Sequence, residues 1–264
     1  MKFLENLDQD LQLSVQNSLR DLWTHTSTAL EGNTLTLGDT SFVLNEGLTI
    51  GGKSIKDHQE VLGHAQAIEI IYELLFKSII TEEDLFKLHK SVLTEVVIDI
   101  YKPVGGWKEE PNGTYSIGAD GKTVYVEYAS PKNVPEFMSR WLDLLNNFTN
   151  ELDEQQALKA YSKLHLSFVG IHPFYDGNGR MARLLANLPV LRSGHVPIMI
   201  DRTRRQEYIT RLSSYQHSVG QLDKGSMLIE ENSSFDEFEI FCGSCWELSL
   251  DVVQEAHRIQ SLRN

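Results

Sequence analysis

Basic residues are in short supply in this chain. Lys and Arg total 24 against 37 Asp and Glu, a formal net charge of −13. A surface of that sign builds no phosphate-attracting field, which argues against nucleic acid as a primary partner and leaves room only for a local basic site. Long apolar runs are missing as well: none nears the ~20 residues that a membrane-spanning helix needs. The N-terminus, Met-Lys-Phe-Leu-Glu-Asn-Leu-Asp, turns acidic early, so we read no signal peptide and expect no membrane partner. Cysteine is scarce, with Cys242 and Cys245 alone in a Cys-Gly-Ser-Cys spacing. A thioredoxin-like motif would need a strand–loop–helix context. The flanks, 235–241 and 246–253, read instead as one amphipathic helix, so we expect two buried thiols in a reducing cytoplasm. Neither a Gly-x-x-x-x-Gly-Lys-Ser/Thr P-loop nor the protein-kinase motif set occurs. With no internal repeat, low-complexity segment or linker, the 264 residues read as one domain, and 41% hydrophobic content is enough for a sizeable core.

What the chain does have is helical periodicity. Residues 2–30 place Phe3, Leu7, Leu11, Val15, Leu19, Leu22 and Trp23 on one face, and Glu31-Gly32-Asn33 ends that helix. Thr34 to Leu37 alternates like a short strand, with a loop through Gly51-Gly52 after it. Helices are expected over 57–79, after Thr81, and over 133–148, 153–171, 180–188, 204–218 and 235–262. His58, His64 and His89 fall in two of these without the i,i+4 spacing of a metal pair, and read as surface or packing residues. Between 101 and 131 glycine and proline break any helix. Thr114 to Ile117 and Thr123 to Val126 alternate about Asp120-Gly121, which signals a hairpin.

The chemistry is concentrated in His172-Pro-Phe-Tyr-Asp-Gly-Asn-Gly-Arg-Met-Ala-Arg183. Pro173 disfavours helical backbone at His172, so the preceding helix should stop there and leave an imidazole at its end. That group titrates near neutral pH and can take a proton from a hydroxyl. Asp176 is a hard oxygen ligand suited to Mg2+. Gly177 and Gly179 bracket Asn178 and let the backbone turn tightly against a ligand. The turn leads into a helix N-terminus, where free N–H groups favour phosphate. Arg180 and Arg183, three apart on that helix, carry guanidinium forks that match phosphate oxygens. Base, metal ligand, amide cradle and cations are the parts of a phosphate-transfer site.

The stretch resembles the Fic family motif His-x-Phe-x-Asp/Glu-Gly-Asn-Gly-Arg-x-x-Arg at every specified position. The resemblance implies an all-α fold with a small β-hairpin flap, its core over about 57–218, and transfer of AMP from ATP to a Ser, Thr or Tyr hydroxyl of a target protein or of the chain itself. In that reading His172 deprotonates the hydroxyl and Asp176 holds Mg2+ against the α- and β-phosphates. Gly177, Asn178, Gly179 and Arg180 form an anion nest, and Arg183 reaches the γ-phosphate. Tyr208, Tyr215 and Gln216 are candidates for the adenine wall. The flap, roughly 118–128 with Thr123, Val124 and Tyr125, would pair with the target's backbone. Homo-oligomers are compatible with the resemblance. Gly179 favours AMP transfer over the phosphoryl transfer of Doc-type relatives, which usually place Lys there. UTP or CDP-choline as donor stays open, as does a non-catalytic nucleotide-binding regulator.

A second match lies at the end of the first helix. Ser27-Thr-Ala-Leu-Glu31-Gly fits the Fic inhibitory pattern Ser/Thr-x-x-x-Glu-Gly/Asn. It implies that residues 1–33 form an inhibitory helix whose Glu31 pairs with Arg183 and takes the charge that the γ-phosphate needs. The same carboxylate could instead position water for removal of AMP from a modified target.

Overall fold

The computed structural model describes residues 2–94, 102–117 and 123–263. Ten α-helices and one two-stranded antiparallel sheet are found among them. The N-terminal helical stretch is broken: a 3-10 turn at Lys2–Leu4 precedes Asn6 in left-handed backbone, and helix α1 then runs Gln9–Leu30. Its buried stripe, from Leu11 to Leu30 through Val15, Leu19 and Trp23, faces the core. The expected strand at Thr34 to Leu37 does not form. Thr36 and Asp39 make a reciprocal capping box that starts helix α2, Leu37–Glu46, inside the segment read as loop. The alternation of Thr and Leu was therefore capping chemistry, not strand pairing.

Helix α3 spans Ile55–Leu74 from a Ser54 cap and stops five residues short of the expected 79. Helix α4, Glu82–Val92, opens on a Thr81/Asp84 capping box. His58, His64 and His89 all pack inside. The hairpin pairs β1, Gly113–Ile117, with β2, Thr123–Glu127, in a register that sets Tyr115 against Tyr125. The turn residues Asp120 and Gly121 lie outside the described residues.

Helix α5, Val134–Asn146, leads to α6, Glu154–Ile171, which opens on a capping box between Asp153 and Gln156. Helix α7, Asn178–Leu185, starts two residues before the expected 180 because Gly177 takes left-handed backbone and serves as its N-cap. Pro189 sits in the first turn of the short α8, Leu188–Arg192. Helices α9, Arg205–Val219, and α10, Ser233–Arg263, complete the set. Cys242 and Cys245 are free, buried thiols on α10, as their flanks suggest.

α6 is the central member, packed against α5, α7, α8, α9 and α10, while α1 packs against α2, α3, α7 and α10. The end of α6, the start of α7 and the end of α1 thereby meet. No helix among the described residues is long and apolar enough to cross a membrane.

Candidate functional site

His172 ends α6 with φ 51° and ψ 58°, a left-handed conformation that is uncommon outside glycine. Three contacts hold it there. Its backbone N–H donates to the Phe168 carbonyl at 2.9 Å, and its Nδ1 lies 3.2 Å from the Val169 carbonyl. Its ring stacks on Tyr128, with 3.8 Å between centroids and 3° between planes. A carbonyl only accepts, so Nδ1 carries the proton and Nε2 keeps a lone pair. Burial pushes the His172 pKa down to about 3, the charge of Lys108 adds to this, and the Val169 bond and Glu31 oppose it. The ring is therefore neutral near pH 7.

The loop after His172 is anchored from inside. Phe174 is fully buried and stacks on His89 at 3.8 Å. Asn178 turns its side chain inward, where Oδ1 accepts from Phe174 N–H at 2.9 Å and Nδ2 donates to the Phe174 carbonyl at 2.8 Å. Asn178 can thus meet a ligand only through its backbone. Gly177 takes φ 77°. Asp176 points outward: its side chain is 62% exposed, one oxygen accepts from Gly177 N–H at 2.6 Å and the other is 3.8 Å from Arg180. No group of three or more His, Cys, Asp and Glu among the described residues could hold a metal by itself. A lone exposed carboxylate fits Mg2+, which takes most of its shell from phosphates and water.

The two arginines diverge. Arg183 is buried and turns toward α1. Its Nε donates to Ser27 Oγ at 3.1 Å, and its Nη2 donates to the Ser27 carbonyl at 2.9 Å and to Glu31 Oε1 at 2.6 Å. Its Nη1 is 3.4 Å from the Tyr208 hydroxyl. Burial alone would raise the Glu31 pKa, but the charge and hydrogen bond of Arg183 outweigh it and hold the group below the ordinary carboxylate value. Arg180 turns toward α4 and donates to the Val92 carbonyl at 3.2 Å.

Glu31 also sits over the start of α7. A Cβ built on Gly179 would lie 2.6 Å from Glu31 Oε1 and 3.1 Å from Arg183 Nη1. A carboxylate oxygen therefore occupies the helix N-terminus, a position suited to a phosphate.

These groups line a cleft of about 600 Å³ that holds Glu31, Tyr128, His172, Asp176, Gly177, Asn178, Gly179, Arg183 and Tyr208, with Val169, Ile209 and Leu212. A neighbouring pocket of about 470 Å³ shares Tyr128, Val169, Ile209 and Leu212 and adds Thr114, Tyr115 and Gln216. Gln216 thus borders the extension rather than the cleft itself, and Arg180 lines a different, smaller pocket. Tyr215 is farther away, its hydroxyl tied to the Glu230 backbone. Tyr208 is a floor residue whose hydroxyl also meets His165 at 2.9 Å. Thr123, Val124 and Tyr125 are exposed on β2, outside the cleft. The sequence marks Tyr128 only as the end of the flap, gives Lys108 no role, and reads His89 as a surface or packing residue, which it is, buried against Phe174. His89 receives the Gly105 N–H at 2.9 Å on Nδ1 and places Nε2 3.0 Å from the Asp176 carbonyl.

A neutral histidine, an outward carboxylate and a buried arginine gather around a helix N-terminus, an arrangement whose chemistry suits a phosphorylated ligand. Residues 79–190 match the Fic/DOC family, and the chain carries a Fic domain. Over 228 residues it is 32% identical to the protein adenylyltransferase Fic of Drosophila willistoni, covering 86% of this chain and 40% of that protein. Over 196 residues it is 37% identical to the protein adenylyltransferase fic-1 of Caenorhabditis briggsae, covering 72% of this chain and 36% of that one. The chain thus spans about 40% or less of these relatives' length. A solved Fic-domain-containing signaling protein from Bacteroides thetaiotaomicron superposes with a TM-score of 0.82 at 29% identity, covering 96% of this chain and 92% of that one.

Proposed function

We propose that the chain is a protein adenylyltransferase that moves AMP from ATP to a Ser, Thr or Tyr hydroxyl of a target protein, or of itself, and that Glu31 restrains it. The observation that carries this reading is the neutral His172, whose Nε2 lone pair opens on the same cleft as the α7 N-terminus and Arg183. The hydroxyl oxygen attacks the α-phosphorus as its proton passes to Nε2. An O–P bond forms, the bond from the α-phosphorus to the bridging oxygen breaks, and pyrophosphate leaves. The backbone of Gly177, Asn178 and Gly179 cradles phosphate, and Arg183, once released by Glu31, neutralises the far end of the triphosphate. Asp176 would hold Mg2+, which supplies charge neutralisation to the phosphates when bound. Ile209, Leu212 and Gln216 border the space left for the base, and the exposed β2 edge supports backbone pairing with the target. The two free thiols support a reducing, cytoplasmic setting.

A second reading concerns the same site. Glu31 Oε2 has no hydrogen-bond partner among the described residues and its side chain is 39% exposed, which suits it to orient water for removal of AMP. Incubation with ATP labelled at the α-phosphate tests the first reading, with self-modification as readout. Label on the protein is expected. Label that stays in free nucleotide, with Glu31 replaced by Gly, would overturn it.

A further inference from the structure

Beside the His172 backbone lies a buried cation. Lys108 precedes the hairpin and is only 2% exposed. Its Nζ donates to Asn112 Oδ1 at 2.5 Å and to the Ile171 carbonyl at 3.3 Å. Its backbone N–H donates to the Pro173 carbonyl at 2.8 Å. Asn112 Nδ2 in turn donates to the Phe174 carbonyl at 3.0 Å. The carbonyls on both sides of His172 are therefore held by one five-residue segment. The same segment reaches the ring itself, since the Asn112 carbonyl accepts from the backbone N–H of Tyr128, whose ring stacks on His172.

A buried ammonium is expensive to desolvate, so its retention calls for a return. An apolar residue would fill the space without that penalty. Two hydrogen bonds leave part of the ammonium's donor capacity unused, and burial pulls its pKa down to about 8, with Glu127 opposing. The return is visible at His172. Helix α6 holds His172 through its N–H and Nδ1, but not the carbonyls of Ile171 and Pro173, and Lys108 supplies the donors that fix those two peptide groups.

We propose that Lys108 is a positioning residue for the base: its ammonium and its backbone N–H clamp the carbonyls on either side of His172 and hold that residue in its left-handed conformation. Its positive charge adds to burial in disfavouring imidazolium. The inference rests on the reading of His172 as the base. Other charged or titratable groups facing the ring are Glu31 from the end of α1, Tyr128 from the hairpin, Asp176 from the loop, Arg183 from α7 and Tyr208 from α9. Of these, Glu31 opposes Lys108 by favouring the protonated ring.

The experiment uses the full chain with Glu31→Gly, so that transfer is unrestrained, and compares Lys108→Met, Lys108→Arg and Asn112→Ser in that background. Self-modification rates are measured against pH, and the His172 ring is titrated by NMR without nucleotide. In Lys108→Met transfer should slow by ~10-fold or more through misplacement of the base. The acid limb and the ring titration should move to higher pH by ~0.5 unit or more, because loss of a nearby cation favours imidazolium. Lys108→Arg should restore both. Asn112→Ser should slow transfer without moving the titration. Should Lys108→Met fold poorly, Lys108→Gln keeps a donor and drops the charge, and carries the same expectation for the titration. A charge-free variant that titrates with its parent, or an Arg variant as impaired as Met, would overturn the role. Absence of transfer in Glu31→Gly itself counts against the proposed function instead, while the nucleotide-free titration still reads the charge of Lys108.

Discussion

Glu31 Oε1 stands 2.6 Å from Arg183 Nη2, and the same oxygen occupies the space where a Cβ on Gly179 would be. One carboxylate thus engages both the cation and the helix N-terminus that a triphosphate would use. The pair joins two residues 152 apart in the chain, one at the end of α1 and one in α7. Ser27, one turn before Glu31, receives Nε and a second Nη2 bond, so α1 takes every Arg183 bond but the one from Nη1 to the Tyr208 hydroxyl.

The base assignment predicts that His172→Ala lowers transfer by ~10^2–10^4-fold. ATP binding should persist, because the loop is locked by Asn178 and the arginine by Ser27. Isothermal titration beside a transfer assay separates the two. A variant with wild-type transfer would remove His172 from the mechanism.

Asp176→Ala should abolish Mg2+-dependent stimulation while leaving the fold intact, since the side chain is outward and its chief bond is to the adjacent Gly177 N–H. The test is the Mg2+ titration of transfer. An unchanged titration would assign the metal elsewhere.

Stability should fall in mild acid. Burial pushes His89 down to about 4, and His165 and His172 to about 3, from an ordinary value of 6.5. Between pH 6.5 and those values the unfolded chain binds protons that the folded chain refuses. Stability therefore rises with pH across that window, by up to ~1.4 kcal/mol per pH unit for each histidine. Glu31 works lower on the scale: its pKa is depressed in the fold, so its contribution is complete above about 4.5 and is lost as pH falls through the folded value. The thermal midpoint should be several degrees lower at pH 5 than at pH 7. Equal midpoints would mean that these histidines are not buried neutral.

How much of this could be read from the sequence follows from distance along the chain. The twelve residues from His172 to Arg183 were legible because their chemistry is local: Pro173 stops a helix, and Gly177 starts another. Glu31 was legible only by its likeness to a known pattern; nothing near it in the chain points to Arg183. Helix α2 was missed because the Thr-Leu alternation from Thr34 to Leu37, which holds its N-cap, imitates a strand. His89 and Lys108 were out of reach for a different reason. His89 meets a carbonyl 87 residues away and Lys108 one 63 residues away, and both accept or donate to backbone, which leaves no mark on the sequence. Arg180 and Arg183 read alike as cations, and only the positions of α4 and α1 send them apart.

The restraint by Glu31 is the central claim, and Glu31→Gly tests it most directly. A hydrogen bond to a charged group contributes ~1.5–3 kcal/mol, less when one side chain is 39% exposed to solvent. Release of Arg183 should therefore raise transfer roughly tenfold to hundredfold, at about 1.4 kcal/mol per decade. The measurement is the rate at which label from α-phosphate-labelled ATP enters the protein, with ATP and Mg2+ saturating, wild type beside variant. Glu31→Gly should label itself about tenfold faster or more. Equal rates, with both proteins folded and binding ATP, would contradict it.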